Sequence, residues 1–213
     1  MSAIESLEPA LRQALASMGI VGDAERIGRW LRYLELLARW NQTYNLTAIR
    51  DPAEMLTRHL LDSLSLAPFW SEAEIADMGS GAGLPGMPLA ILHPERRVVL
   101  IESNGKKARF LREVKRQLGL DQVEVIEGRS EAQRLEAAIG CATARALAPL
   151  ATLCDWCRPW LAADGRLLAM KGPDHQAELT ALPTDFDLAA VETLRVPGLN
   201  AERVLVILTR RPL

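Results

Sequence analysis

Several features that would assign this sequence to a common protein class are scarce or missing. Only three cysteines, Cys141, Cys154 and Cys157, occur in 213 residues, and an odd number in a chain of this length does not describe a disulfide-stapled fold. Cys154-Asp155-Trp156-Cys157 matches C-x-x-C, yet no second pair and no histidine cluster accompanies it, which argues against a zinc or redox site. No apolar run approaches the roughly 20 residues of a membrane span. No charged segment followed by an apolar one opens the sequence, so a cytoplasmic, reduced protein is expected. In that setting Asn45-Leu46-Thr47 is a glycosylation sequon in form only. Neither sign of charge prevails: the net charge of −2 excludes a generally basic nucleic-acid binder, and any RNA contact has to come from a local patch. Internal repeats and low-complexity linkers are also absent. What remains is an ordinary globular composition, 49% hydrophobic and 24% charged, in a chain long enough for one α/β domain plus an extension.

The most informative stretch is Glu74-Ile75-Ala76-Asp77-Met78-Gly79-Ser80-Gly81-Ala82-Gly83-Leu84-Pro85-Gly86. A short apolar run meets an acid, then four glycines, then a helix expected to begin at Pro85. Gly79, Gly81 and Gly83 allow positive φ and a close approach of backbone to ligand, and the free N–H groups of the helix start would face that ligand. Gly81 to Gly86 also satisfies G-x-G-x-x-G, a weak dinucleotide pattern when taken alone. Asp77 argues against a pyrophosphate, which a carboxylate repels, and for the cationic amino group of a methionine-type ligand. The run resembles motif I of the class I S-adenosylmethionine (SAM) methyltransferases. A turn that merely joins strand to helix is the plainer alternative, but it needs fewer glycines and no acid. About 20 residues on, Glu102 closes the β-branched run Arg97 to Ile101, at the spacing of an acid that holds a ribose diol; a solvated strand cap is its plainer reading.

Apolar residues recur at helical spacing over 4–18 and 23–41, where Ile27, Trp30, Leu31, Leu34, Leu37 and Ala38 share one face. Asp51-Pro52 starts a third helix with an apolar stripe through Met55, Leu56, Leu60, Leu64 and Leu66. From about residue 73 strands alternate with helices, indicating a mostly parallel sheet covered on both faces. Strands are expected near 75–78, 98–102, 123–127, 141–145, 165–171, 187–196 and 203–209, with helices near 85–92, 104–118, 131–138, 149–161 and 174–181. The last two strands leave no room for a helix between them, so the sheet should end in an antiparallel hairpin. That plan, seven strands in a Rossmann-like α/β sheet, is the class I methyltransferase plan. Two regions are expected: an N-terminal helical extension over 1–70 packed on a SAM-binding core over 71–213.

The resemblance narrows further. Asn45-Leu46-Thr47-Ala48-Ile49-Arg50-Asp51-Pro52, Arg58-His59-Leu60-Leu61-Asp62-Ser63-Leu64, the glycine run, Ser130-Glu131 and Arg145-Ala146-Leu147-Ala148 together resemble the RsmG (GidB) family. That family methylates a guanine N7 of 16S rRNA in the bacterial small ribosomal subunit, with SAM as donor. The likeness runs from about residue 30 onward. It implies SAM contacts at Gly79 and Leu84, at Ser130 and Glu131 after the third strand, and at Arg145 after the fourth. With the physical reading, the expected cofactor set is Asp77, Gly79, Gly81, Gly83, Leu84, Glu102, Ser103, Ser130, Glu131 and Arg145. Ser130 and Glu131 could equally cap a helix.

At the reacting centre Arg145 and Asp62 are the candidates. Arg145 could clamp a carboxylate or phosphate, or else make a structural ion pair to Asp77 or Asp155. The acid-or-Asn-Pro-Pro-Tyr motif of exocyclic-amine methyltransferases is absent after the fourth strand. Guanine N7 needs no deprotonation, so no general base is expected; a nearby carboxylate, Asp62 or Glu102, could tolerate the charge moved onto the ring. Asn45, Arg58, His59, Lys106, Lys107, Arg109 and Lys171 are the expected RNA contacts. Arg58 and Asp62, four apart, could instead be an i,i+4 ion pair, and His59 could be structural. Between Ser103 and Gly119 six bases face the single acid Glu113, with Leu111, Val114 and Leu118 turned inward, a lopsided charge that suits phosphate. A monomer with no metal is expected. Two other readings stay open: an NAD-dependent oxidoreductase, and a SAM- or nucleotide-sensing RNA-binding protein without turnover.

Overall fold

The computed structural model describes residues 3–135 and 137–212. After a short 3-10 turn at Glu5–Leu7, helix α1 spans Glu8–Ser17 and α2 spans Ala24–Tyr44. The Asp23 side chain caps α2 by accepting from the Arg26 N–H at 2.8 Å, which satisfies one of the four orphan donors of a helix start. The helix stops where Asn45 turns left-handed, with φ 49°, a conformation that Asn tolerates better than most residues. The third helix is a composite. Pro52–Met55 (α3) and Asp62–Leu64 (α4) are α-helical, and Leu56–Leu61 between them is a π-turn. The buried Ser63 Oγ donates to the His59 carbonyl at 2.6 Å, placing a side-chain donor on the backbone ladder where the turn is widened.

The sheet has seven strands: β1 Glu74–Met78, β2 Arg97–Glu102, β3 Val123–Glu127, β4 Ile139–Arg145, β5 Leu161–Lys171, β6 Phe186–Thr193 and β7 Val204–Arg210. Their order is β3-β2-β1-β4-β5-β7-β6. The first five run parallel, while β7 is antiparallel to both β5 and β6. The expected closing hairpin is present, and its second strand lies inside the sheet with β6 at the edge. The edge strand carries a bulge between Leu188 and Ala190 and leaves Leu188 and Val191 exposed. Helices α5 Gly86–Leu92, α6 Gly105–Leu118, α7 Leu150–Cys157 and α8 His175–Leu179 complete the alternation. Asp77 of β1 stands opposite Leu100 of β2 and Thr143 of β4. The chain order reverses at β1, and in open α/β sheets a ligand belongs in the crevice beyond the strand ends at that point.

Val98, Val99, Leu100 and Ile101 are all fully buried, as strands covered on both faces must be. One apolar cluster joins α1, α2 and the composite helix to α5 and α6, and the other lies under α7. Two polar contacts fix α2 on the sheet region. Trp30 Nε1 donates to the Pro88 carbonyl at 3.2 Å and Tyr33 Oη donates to the Ala82 carbonyl at 2.8 Å.

Several expected bounds differ, β5 starting at Leu161 rather than 165 and β6 ending at Thr193 rather than 196 among them. The helix expected over 131–138 is not formed by the described residues: a 3-10 turn at Ser130–Ala132 ends in extended backbone at Gln133, and Glu136 lies outside them. The Ser130 carbonyl accepts from both Gln133 N and Trp160 Nε1, and these bonds take the place of helix propagation despite favourable side chains. Pro85 is the N-cap of α5 rather than its first residue. Helix α7 stops at Cys157 instead of 161, because β5 begins at Leu161 and pairs with Ile139.

Candidate active site

The glycine loop is held from three sides. Gly79, Gly81 and Gly83 have φ of 61°, 58° and 91°, the left-handed region that requires glycine or strain. Glu102 accepts from Gly81 N through Oε2 and from Asn104 N through Oε1, both at 2.7 Å. The Ser80 carbonyl takes the N–H groups of Gly83 and Leu84, and Asp77 Oδ2 accepts from Gly86 N at 2.9 Å. The first N–H of α5 therefore points at Asp77 and not at a ligand, contrary to the sequence expectation. Tyr33 holds the loop from above through Ala82.

Asp77 is fully buried, and its Oδ1 has no hydrogen-bond partner. Burial pushes its carboxyl up to about 7, opposed by the Gly86 N–H and the Arg145 guanidinium. An orphaned carboxylate oxygen inside a dry site suits a cationic amino group, which would supply the missing partner. A methyl group added at Gly81 would meet nothing nearer than the Gly79 carbonyl at 3.8 Å, so that glycine faces open space. Residues and space both fit a methionine-type ligand. Each Glu102 oxygen, already holding one N–H, has a further lone pair for a ribose hydroxyl.

Beside the loop a cavity of about 150 Å³ is walled by Leu46, Thr47, His59, Ser80, Gly81 and Arg145, among others. A second, of about 680 Å³, opens past Arg58, Asp62, Leu147, Pro149, Met170 and Arg203, and it too includes His59 and Arg145. The larger space of about 860 Å³ between the α1–α2 turn and the β6–β7 loop touches no glycine-loop residue. The first two share a wall, formed by His59 and Arg145.

That wall is built by the composite helix. His59 is 5% exposed. Its Nδ1 lies 3.1 Å from the Arg58 carbonyl, which can only accept, so Nδ1 carries the proton and Nε2 accepts from the Thr47 hydroxyl at 2.8 Å. Thr47 in turn accepts from Ile49 N. Burial and then the neighbouring Arg145 push the imidazole down to about 4, so it is neutral at physiological pH. Asn41, also buried, holds the same loop through Ile49 O and Thr47 N.

Asp62, with 3% of its side chain exposed, accepts from Arg145 Nη1 at 2.8 Å and from Arg203 Nε at 3.1 Å. This replaces the ion pairs the sequence suggested. Arg58 instead makes its i,i+4 pair backward, to Glu54 at 3.8 Å, while Asp62 is taken by Arg145 and Arg203. Arg145 meets neither Asp77 nor Asp155 and also donates to the Arg58 carbonyl. Two guanidiniums on one buried carboxylate leave a net positive wall with unspent N–H donors.

Other predicted residues are dispersed. Asn45 is exposed, and its Oδ1 accepts from Arg50 Nη2. Ser103 is exposed after β2. Ser130 is buried, and Glu131 approaches Arg129 at 3.7 Å; no side chain caps their turn. Lys106 and Arg109 project from α6 into solvent, and Lys107 is half-buried. Lys171 lines the 680 Å³ cleft with its side chain 10% exposed, and its ammonium donates to the Ala148 carbonyl and pairs with Glu178 at 2.7 Å. Sequence reasoning overlooked Arg203, Tyr33 and Leu147. A base immediately before β7, a tyrosine on the buried face of α2 and a large apolar residue two positions after Arg145 were the available signals.

A glycine loop after β1, an acid after β2 and a cleft at the sheet's switch point define a class I SAM-dependent methyltransferase. Solved structures share this fold. The glycopeptide N-methyltransferase MtfA complexed with SAM gives a TM-score of 0.60 at 14% identity, over 70% of this chain and 86% of that one. TYW2 of M. jannaschii in complex with AdoMet gives 0.59 at 17% identity, over 76% and 81%. The chain belongs to the GidB family, rRNA small subunit methyltransferase G, whose model matches residues 26–206. A ribosomal RNA small subunit methyltransferase G of Stenotrophomonas maltophilia is 52% identical over 204 residues, 96% of this chain and 95% of that protein. Its counterpart in Ectopseudomonas mendocina is 47% identical over 99% of both. The chain is therefore an enzyme that methylates small-subunit ribosomal RNA.

Proposed function

We propose that the chain transfers the methyl group of SAM to N7 of one guanine in 16S rRNA of the small subunit. The acceptor atom is taken from the RsmG resemblance. The observation that carries the reading is the shared wall: His59 and Arg145 border both the glycine-loop cavity and the open cleft, so a donor in one faces an acceptor in the other. SAM, when bound, supplies an electrophilic methyl group on a sulfonium. Asp77 binds the amino group of the methionine end, Gly79, Gly81, Gly83 and Leu84 shape the loop around it, and Glu102 with Ser103 holds the ribose. Ser130 and Glu131 border the adenine. Arg145 and Asp62 line the reacting centre, where the Asp62 carboxylate fixes the guanidinium and offsets charge appearing on the purine.

No residue acts as general base. The N7 lone pair is already directed outward, and His59, neutral with Nε2 engaged, serves to orient the Asn45–Arg50 loop. Catalysis is alignment of the two reactants and exclusion of water. Asn45, Arg58, Lys106, Lys107 and Arg109 bind the RNA backbone. Residues 1–70 form a helical extension on a catalytic core of 71–213, and the enzyme works as a cytoplasmic monomer. Among the described residues no helix is long and apolar enough to cross a membrane.

The test is methyl transfer from radiolabelled SAM to small subunits purified from cells lacking this gene, followed by nuclease mapping. Label in one guanine, released as 7-methylguanine, is expected. Absence of label from the RNA would overturn the proposal.

A further inference from the structure

The residues lining the 680 Å³ cleft include no Phe, Tyr or Trp, although a purine held for reaction needs a flat or apolar surface against its face. Beside the guanidinium planes of Arg58 and Arg145, the described lining offers two large apolar side chains that solvent reaches, Leu147 and the half-buried Ile49. Leu147, 37% exposed, is the more open of these two apolar side chains. It is presented by a special backbone: Ala146, between Arg145 and Leu147, has φ 48°, a left-handed conformation that costs a non-glycine residue energy and that concentrates at functional sites. Its other flank lies on the glycine loop. A Cβ added at Gly79 would come within 2.5 Å of Leu147 Cδ1, so the side chain packs on the bare Cα of the first loop glycine.

We propose that Leu147 is the platform for the acceptor base: the purine ring rests on its isobutyl group, which seats against Gly79 and thereby registers the ring with the methyl donor. This rests on the RNA-methyltransferase reading above. The ligand class is a planar purine turned into the cleft. The platform explains why an apolar side chain is left exposed between Arg145 and Pro149, and why position 79 has no room for a Cβ.

The test compares Leu147→Ala, Leu147→Phe and the unsubstituted full-length protein in methyl transfer to unmethylated small subunits, with SAM affinity measured separately by calorimetry. Losing one exposed apolar contact should raise KM for the subunit roughly 10- to 100-fold in Leu147→Ala. SAM affinity should stay within about twofold of the parent, and Leu147→Phe, which keeps an apolar face, should retain a KM close to the parent's. Thermal melts should move little, because the side chain is exposed. An unchanged KM in Leu147→Ala would overturn the platform, as would a loss of SAM affinity equal to the rise in KM, which would make Leu147 a brace for the glycine loop alone. If the unsubstituted protein transfers no methyl to the subunit, the parent reading falls and the platform with it.

Discussion

Asp77 and His59 are both buried titratable groups, and they bend stability in opposite directions. In the unfolded chain Asp77 ionises at the ordinary carboxylate value; in the fold it keeps its proton to about pH 7. The folded state therefore binds the extra proton across roughly pH 4 to 7, and stability falls as pH rises through that window. Asp77→Asn should be more stable than the parent at pH 8, by about 1 to 3 kcal/mol, and melt correspondingly higher, with the gap closing toward pH 4. The same variant should bind SAM at least about tenfold more weakly, because the charge facing the ammonium is gone. A gap in melting temperature that is constant with pH would show that Asp77 does not titrate there. For His59 the folded value of about 4 lies below the ordinary one, so its contribution is present at neutral pH and is lost as pH falls from about 6.5 to 4. His59→Gln should lessen that acid-side loss in a series of melts.

Helix α6 carries its bases at one face and its apolar residues at the other. Arg112 and Arg116 are paired with Glu127 and Glu113, which leaves Lys106 and Arg109 as the exposed cations nearest the cofactor loop. Lys106→Glu with Arg109→Glu should weaken small-subunit RNA binding and flatten its salt dependence while sparing SAM affinity; an RNA affinity equal to the parent's at each of two ionic strengths would count against a role for this helix. The face of α6 was readable because 3.6-residue periodicity is a local property. The partners of Asp62 were not, since Arg145 and Arg203 lie 83 and 141 residues away and reach it only through the sheet order and the π-turn. The pairing of Lys171 with Glu178, seven residues on, was not read either, because the turn between β5 and α8 that brings them together has no periodic pattern. The stretch after Ser130 reads as helix by propensity and is unwound by a bond from Trp160, which no local pattern reports.

At the scale of the molecule, the N-terminal helices behave as part of the cofactor site. Tyr33 is fully buried, and its hydroxyl holds the Ala82 carbonyl, so α2 sets the shape of a loop 49 residues away. Tyr33→Phe removes that one bond and should weaken SAM binding about 5- to 20-fold while lowering stability by about 1 to 2 kcal/mol. A lower melting temperature with unchanged SAM affinity would show α2 to be scaffold alone. The alternation of strands and helices, the glycine loop, its acid and the closing hairpin were all legible, because each rests on residues near one another in sequence. The joining of α2 to the loop was not, because a tyrosine on an apolar helix face looks like ordinary core.

The position of β7 between β5 and β6 also bears on how the protein is made. Ribosomes deliver a chain in order, and β5 borders open solvent until Val204–Arg210 arrives to pair with both neighbours. A nascent chain halted before residue 204 would already hold the glycine loop, the Asp62 pairing with Arg145 and the basic helix. It would still present an eleven-residue β5 with an unpaired backbone, a template for joining another chain. Completion of this enzyme, and its escape from aggregation during synthesis, therefore waits on a strand that carries none of its catalytic groups.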